Sequence, residues 1–250
     1  MKIIDSGNIR FIYAYNAIDL TEQETYDDLK YLEIGATQSR FYSYFIHRSD
    51  SLKIDWLKKN AKAESIKITM GIVGKLNGWS EYQYNDCFKN FAENKFIEYI
   101  QMPRLIPCYK YSEEIPVFDW EIMNDTITII NYTCQKAICH FRGRDYTAWF
   151  CPDIPISNGP WKFGGLPGLI LKLYDKDKLY TYECVGVEQY GNKFPIKTYD
   201  EKNYTKIERK KLLNLYKNIH ENYRNIVGIK KLSGEPIPRN NIDYKTIELE

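Results

Sequence analysis

The sequence predicts an α+β protein in which β structure dominates: a curved antiparallel sheet or open barrel, bowl-like, with one long carboxy-terminal helix and one shorter helix. Three observations carry this. Aromatic residues make up 15% of the 250, with 22 Tyr against 11 Phe and 5 Trp, and tyrosine suits a half-buried pleated surface whose hydroxyl end stays wet. Most segments are β-prone runs of about five to nine residues set off by Gly, Pro, Asn and Asp. Only two stretches read as helix.

Composition narrows the class further. Hydrophobic residues at 44% against 27% charged exclude a disordered chain and give enough apolar material for a sizeable core. With 35 basic and 33 acidic side chains the net charge is +2, which does not favour electrostatically driven nucleic-acid binding. No apolar run is long enough to cross a bilayer. The absence of repeats, low-complexity tracts and long linkers points to a single domain over 1–250.

The elements follow in order. Tyr31 to Ile34 and Ser39 to Ile46 form a strand pair joined by Gly35-Ala36-Thr37. Ser49-Asp50-Ser51 offers caps for a short helix from Leu52 to Lys62. Strands continue at Phe96 to Gln101, Leu105 to Tyr111, Val117 to Ile122 and Thr126 to Tyr132. The long helix covers about 205–225, where Leu212, Leu215, Tyr216, Ile219 and Tyr223 share one face and basic residues line the other. The tail 233–250 is polar and reads as an edge strand or loose end.

The centre is the most informative part. Cys134 to Phe141 and Tyr146 to Phe150 flank Arg142-Gly143-Arg144-Asp145 as a hairpin. A Pro-rich excursion through Trp161 then leads into Gly164-Gly165-Leu166-Pro167-Gly168 and a strand from Leu169. Pro167 and Gly168 suit the two central positions of a type II turn, Gly168 by tolerating positive φ. A phosphate loop is disfavoured, because no Gly-Lys-Ser/Thr follows.

Six cysteines, Cys87, Cys108, Cys134, Cys139, Cys151 and Cys184, permit disulfides without requiring them. Cys139 and His140 are neighbours on a strand and point to opposite faces, so they cannot form a nucleophile–base pair. A three-residue hairpin loop would set Cys139 and Cys151 diagonally on one face, making Cys139, Cys151 and His140 weak candidates for a soft metal, although zinc-type spacings are absent. Met1-Lys2-Ile3-Ile4 gives way at once to Asp5-Ser6-Gly7, which is not a secretory signal. Two locations stay open: the cytoplasm, or the envelope after removal of a leader.

Gly165-Leu166-Pro167-Gly168-Leu169-Ile170 resembles the signature of the GLPGLI family of Bacteroidota. Tyr132 to Ala137, Phe141 to Arg144, Thr147 to Phe150, Pro152 to Pro155 and Gly159 to Phe163 resemble the blocks that precede that signature. The resemblance spans about 31–189 and is most specific from Tyr132 to Leu171. It implies an exported envelope protein without an assigned biochemical role. It also implies a fold similar to the bowl-shaped, β-rich amino-terminal module beside the catalytic part of some peptide N-glycosidases. Such a module is an accessory, which implies binding or display, and no catalytic residues carry over. Two departures stand out. Gly164 occupies a position that is cysteine in some relatives, which removes a pairing with Cys134, and Cys139 and Cys151 replace small polar residues.

The expectation is therefore a non-enzymatic periplasmic or envelope binding module without a cofactor, its partner an unidentified ligand or envelope protein. Trp149, Trp161, Arg142, Arg144, Gly165 and Pro167 are the candidate ligand-binding residues, with Trp79, Tyr82 and Tyr84 as further aromatics for a concave face. The alternatives are a hydrolase acting on peptides or envelope polymers, and a soft-metal protein.

Overall fold

In the computed structural model, residues 1–18, 25–48, 84–103, 105–226, 228, 230–236 and 246–250 are described. Twelve strands form one open, curved sheet in the order β12-β6-β5-β4-β3-β2-β1-β11-β10-β9-β8-β7. They are β1 (Lys2–Ile18), β2 (Thr25–Gly35), β3 (Gln38–Ser43), β4 (Asn85–Asn90), β5 (Lys95–Ile100), β6 (Tyr109–Glu114), β7 (Glu121–Ile129), β8 (Tyr132–Phe141), β9 (Arg144–Cys151), β10 (Leu169–Asp175), β11 (Tyr180–Thr198) and β12 (Thr205–Lys206). All neighbours pair antiparallel except β12 with β6. The sheet does not close into a barrel. The long helix α1 runs over Arg209–Ile226, and residues 44–48 form a helical segment. The short helix expected at 52–62, with Trp79 and Tyr82, lies outside the described residues.

The longest strands, β1 and β11, pair at the middle of the sheet. Their register shifts at Ile3/Asp5, Gly7/Ile9 and Ile12/Tyr13, and such bulges bend and twist a ribbon that would otherwise run flat. The inner face of this curve carries the core. Phe11, Tyr13 and Tyr15 of β1, Leu32 of β2, Phe96 and Ile100 of β5, and Tyr182 of β11 are buried there with Leu212, Tyr216 and Ile219 of α1. The helix contributes the face its spacing predicts.

Residues 152–168, between β9 and β10, fold back over the same face and fasten the two halves of the sheet. Lys89 on β4 is buried and donates from Nζ to Asn158 Oδ1 at 2.8 Å, Gly159 O at 3.2 Å and Phe163 O at 2.5 Å. Trp120 Nε1 donates to Gly164 O at 2.8 Å. Phe163 sits among Phe118, Phe141, Tyr146 and Trp161.

The glycine signature works differently from the sequence expectation. Positive φ falls on Gly165, at 83°, and not on Gly168. Gly168 is required for close approach instead: a Cβ there would stand 2.2 Å from Cys151 O and 2.6 Å from Cys151 C. Gly165 and Pro167 are both exposed.

The β8–β9 hairpin also corrects its expected register. Phe141 pairs with Arg144 and His140 with Asp145, so Arg142 and Gly143 form a two-residue turn with φ of 47° and 82°, the positive pair of a type I′ turn. Cys139 therefore faces Tyr146, five residues or roughly 17 Å along the strand from Cys151. Cys139 and Cys151 do not meet. His140 is exposed and hydrogen-bonds Asp145 at 2.7 Å.

Candidate functional site

The inner face carries a cluster of charged groups that core packing alone does not require. Tyr111 and Glu113 project from β6, Glu98 from β5, and Asn85 and Cys87 from β4; Lys30 comes from β2. Trp161 and Lys162 descend from the returning loop, and Arg209 stands at the start of α1. Most of these groups, together with Thr246, Ile247 and Glu248, line a cavity of about 40 Å³. Strand periodicity explains their common side: Cys87 and Lys89, Phe96 and Glu98, and Tyr111 and Glu113 are each two residues apart.

Lys162 lies between two aromatics in sequence and is 1% exposed. Its ammonium pairs with Glu113 at 2.8 Å and with Glu248 Oε1. Arg142, held by the hairpin turn, bonds both Glu113 and Glu248. Arg209 donates to Glu248 Oε2 at 2.9 Å. Three cations thus converge on one buried carboxylate, which is 3% exposed. Burial pushes the Glu248 carboxyl up, but the charges of Lys162 and Arg142 outweigh it and hold Glu248 below the ordinary glutamate range. The same balance, again against burial, brings Glu113 down to about 2.

Glu98 has the opposite fate. Burial dominates over attraction from Lys162, Glu248 adds repulsion, and its carboxyl rises to about 7 from 4.5. It accepts from Asn85 Nδ2, and the Cys87 thiol lies 3.9 Å away. A stability slope follows. Between about pH 4.5 and 7 the folded chain keeps a proton on Glu98 that the unfolded chain releases. This contribution is complete below the unfolded value and disappears as pH rises through 7, a change of up to ~3 kcal/mol. Glu98→Gln is expected to flatten that part of the profile in urea denaturation measured from pH 4 to 8; an unchanged slope would assign it to another group.

The sequence-predicted residues divide. Arg142 and Trp161 reach the cluster. Arg144 flanks it, pairing with Asp175 at 3.2 Å and donating to Thr246 O. Trp149 lies between Ala148 and Phe150 on β9 and so faces the other side, with the Lys136 ammonium 6.0 Å from its ring. Gly165 and Pro167 do not line the cavity; nor does Tyr84. Lys162, Arg209, Glu113, Glu98 and Glu248 were missed. The one available signal was Lys162 as a lone charge between Trp161 and Phe163.

The cysteines give no metal centre: among the described residues no three His, Cys, Asp or Glu side chains gather where they could hold an ion. The six thiols are free. Burial pushes Cys134, Cys139 and Cys184 each up to about 12, which makes them poor nucleophiles near neutrality.

The opposite face has its own hollows, of about 340 Å³ beside Arg10, Arg40 and Tyr42 and about 760 Å³ beside Tyr99, Tyr199 and Lys202. In the smaller hollow Arg10 is matched by Glu33 at 2.8 Å and Glu188 at 2.9 Å, and Arg40 by Asp86 at 2.5 Å; in the larger one Lys110 pairs with Glu201. The inner cluster differs in taking one of its anions, Glu248, from a segment outside the sheet.

Residues 142–172, which include Arg142, Arg144, Tyr146 and Lys162, match the model of a family described as a protein of unknown function (Porph_ging). No curated protein matches the chain. In fold the chain is similar to PNGF-II in its P21 crystal form, with a TM-score of 0.52 at 13% identity over 87% of this chain and 34% of that one. The C2 form of PNGF-II gives 0.46 at 15% identity, over 86% and 32%. The chain therefore spans about a third of the PNGF-II chain. An uncharacterised conserved protein from Thermus thermophilus gives 0.39 at 8% identity, over 81% and 91%.

Proposed function

We propose that this chain is a non-enzymatic binding or accessory module of the cell envelope, of the GLPGLI kind, which holds a partner segment on the inner face of its sheet. One observation carries the reading: Arg142, Lys162 and Arg209 converge on a single carboxylate, while neighbouring side chains donate to main-chain carbonyls of the same segment. That is an arrangement for grasping a polypeptide. The remaining cavity of about 40 Å³ has room for a few waters at most and lies well below the ~300 Å³ of a small-molecule site.

A hydrolase is the second reading, and Glu98 motivates it, because a carboxyl titrating near 7 beside a cavity suits general acid–base work. Trp161 lines the cavity and reports on both readings. The intact chain would be titrated with a panel of peptides and oligosaccharides at millimolar concentration while tryptophan emission and products are followed. The expected result is a saturable emission change for a panel member, absent from Trp161→Phe, with no product. Product formation that disappears in Glu98→Gln would establish the hydrolase instead.

A further inference from the structure

Residues 246–250 lie on the inner face outside any strand, yet they are gripped as a bound peptide would be. Arg144 Nη2 donates to Thr246 O at 2.7 Å, and the Tyr146 hydroxyl to Ile247 O at 3.2 Å. The Leu249 amide donates to Arg142 O at 3.0 Å. Arg209 donates to Glu250 O and to the Glu248 carboxylate. Glu248 enters the cluster as a buried anchor, while Leu249 remains 56% exposed. Main-chain contacts supply general affinity and the buried side chain supplies selectivity, the division of labour seen when folded domains take up extended peptides.

Two features separate this from ordinary packing of a peripheral segment. The receiving side is electrostatically incomplete without the segment: Arg142 and Lys162 would keep Glu113 and lose Glu248, and Arg209 would lose the Glu248 carboxylate. The fit is also imperfect. The buried Nε of Arg144 has no hydrogen-bond partner among the described residues, and the cavity of about 40 Å³ adjoins Thr246, Ile247 and Glu248. An unpaired buried donor is a cost that a better-fitting guest removes.

We propose that the inner face is a recognition site for an extended acidic peptide, and that residues 246–250 occupy it in cis as a displaceable stand-in. The inference rests on reading the chain as a binding module and names the class of its partner: an extended segment with one carboxylate anchored between aliphatic neighbours. The internal segment lowers the apparent affinity for such a partner by the fraction of time it fills the site.

The probe is the peptide acetyl-Thr-Ile-Glu-Leu-Glu-amide, titrated into the intact wild-type chain and its Glu248→Gln variant. Weakening the internal occupant is expected to tighten peptide binding at least tenfold. The same peptide with Gln at its central position is expected to bind Glu248→Gln at least tenfold more weakly. Should Glu248→Gln lack a cooperative melt, the wild-type chain decides: saturating peptide is expected to move the Glu248 carboxyl, followed by carbon-13 NMR, into the ordinary glutamate range. Equal affinity for the two chains, indifference to the central carboxylate, or a Glu248 titration that does not move would each overturn the proposal. If Trp161 still answers another member of the panel, only the acidic-peptide inference falls; if no panel member binds, the binding-module reading falls with it.

Discussion

Replacing Lys162 by Met is expected to lower the free energy of unfolding by about 3 kcal/mol, because it removes one side of two buried ion pairs and leaves Glu113 to Arg142, and Glu248 to Arg142 and Arg209. Lys162 is almost wholly enclosed and touches both Glu113 and Glu248. Its methylene stem packs against Trp161, Tyr111 and Phe96, whose rings the ammonium approaches to 4.9, 5.0 and 5.2 Å. Methionine keeps the stem and removes the charge, so the loss isolates the electrostatic part. Combining it with Glu248→Gln is expected to cost less than the sum of the two single losses, since the two groups contact each other directly. Urea denaturation at pH 7 measures both; a loss below ~1 kcal/mol for Lys162→Met would show the cluster to be hydrated and of little structural weight.

Gly168→Ala is expected to cost about 3 kcal/mol, at the upper end of overpacking effects. The added methyl would meet the carbonyl of Cys151 and the nitrogen of Pro152, where strands β9 and β10 begin their pairing and cannot yield separately. Gly165→Ala gives the contrast: it is exposed with φ of 83° and no backbone obstacle, so only the left-handed penalty of ~1–2 kcal/mol applies. Equal losses at the two positions would contradict the assignment of close approach to Gly168.

Much of the fold was legible because it obeys local rules. The β2–β3 pair, β5, the β8–β9 hairpin and α1 all announce themselves by alternation or helical spacing. The hairpin register was not legible, because the turn places Arg142 at φ 47°, a conformation that arginine does not advertise. Strands β1 and β11 were hidden for a related reason. Gly7 and Asn8 in one, and Gly186, Gly191 and Pro195 in the other, look like breakers, and bulges absorb several of them. Strand β4 was masked by its polarity, since Lys89 is buried against three oxygen acceptors.

The site was less legible than the fold. Arg142 and Trp161 could be singled out because they lie in the dense central segment. Their partners could not. Glu248 sits in a polar tail that reads as a loose end or edge strand, and its contacts to Lys162 and Arg142 span 86 and 106 residues of sequence. No periodicity links charges so far apart. Only the curvature of the sheet and the return of residues 152–168 across it bring them together.

The most direct measurement is the titration of the Glu248 side-chain carboxyl in the intact chain, followed by carbon-13 NMR with Glu248→Gln for assignment. A carboxylate gripped by Arg142, Lys162 and Arg209 on the inner face should titrate below an ordinary glutamate. An ordinary glutamate titration in the folded chain, without added peptide, would contradict the account, because residues 246–250 would then not be held there.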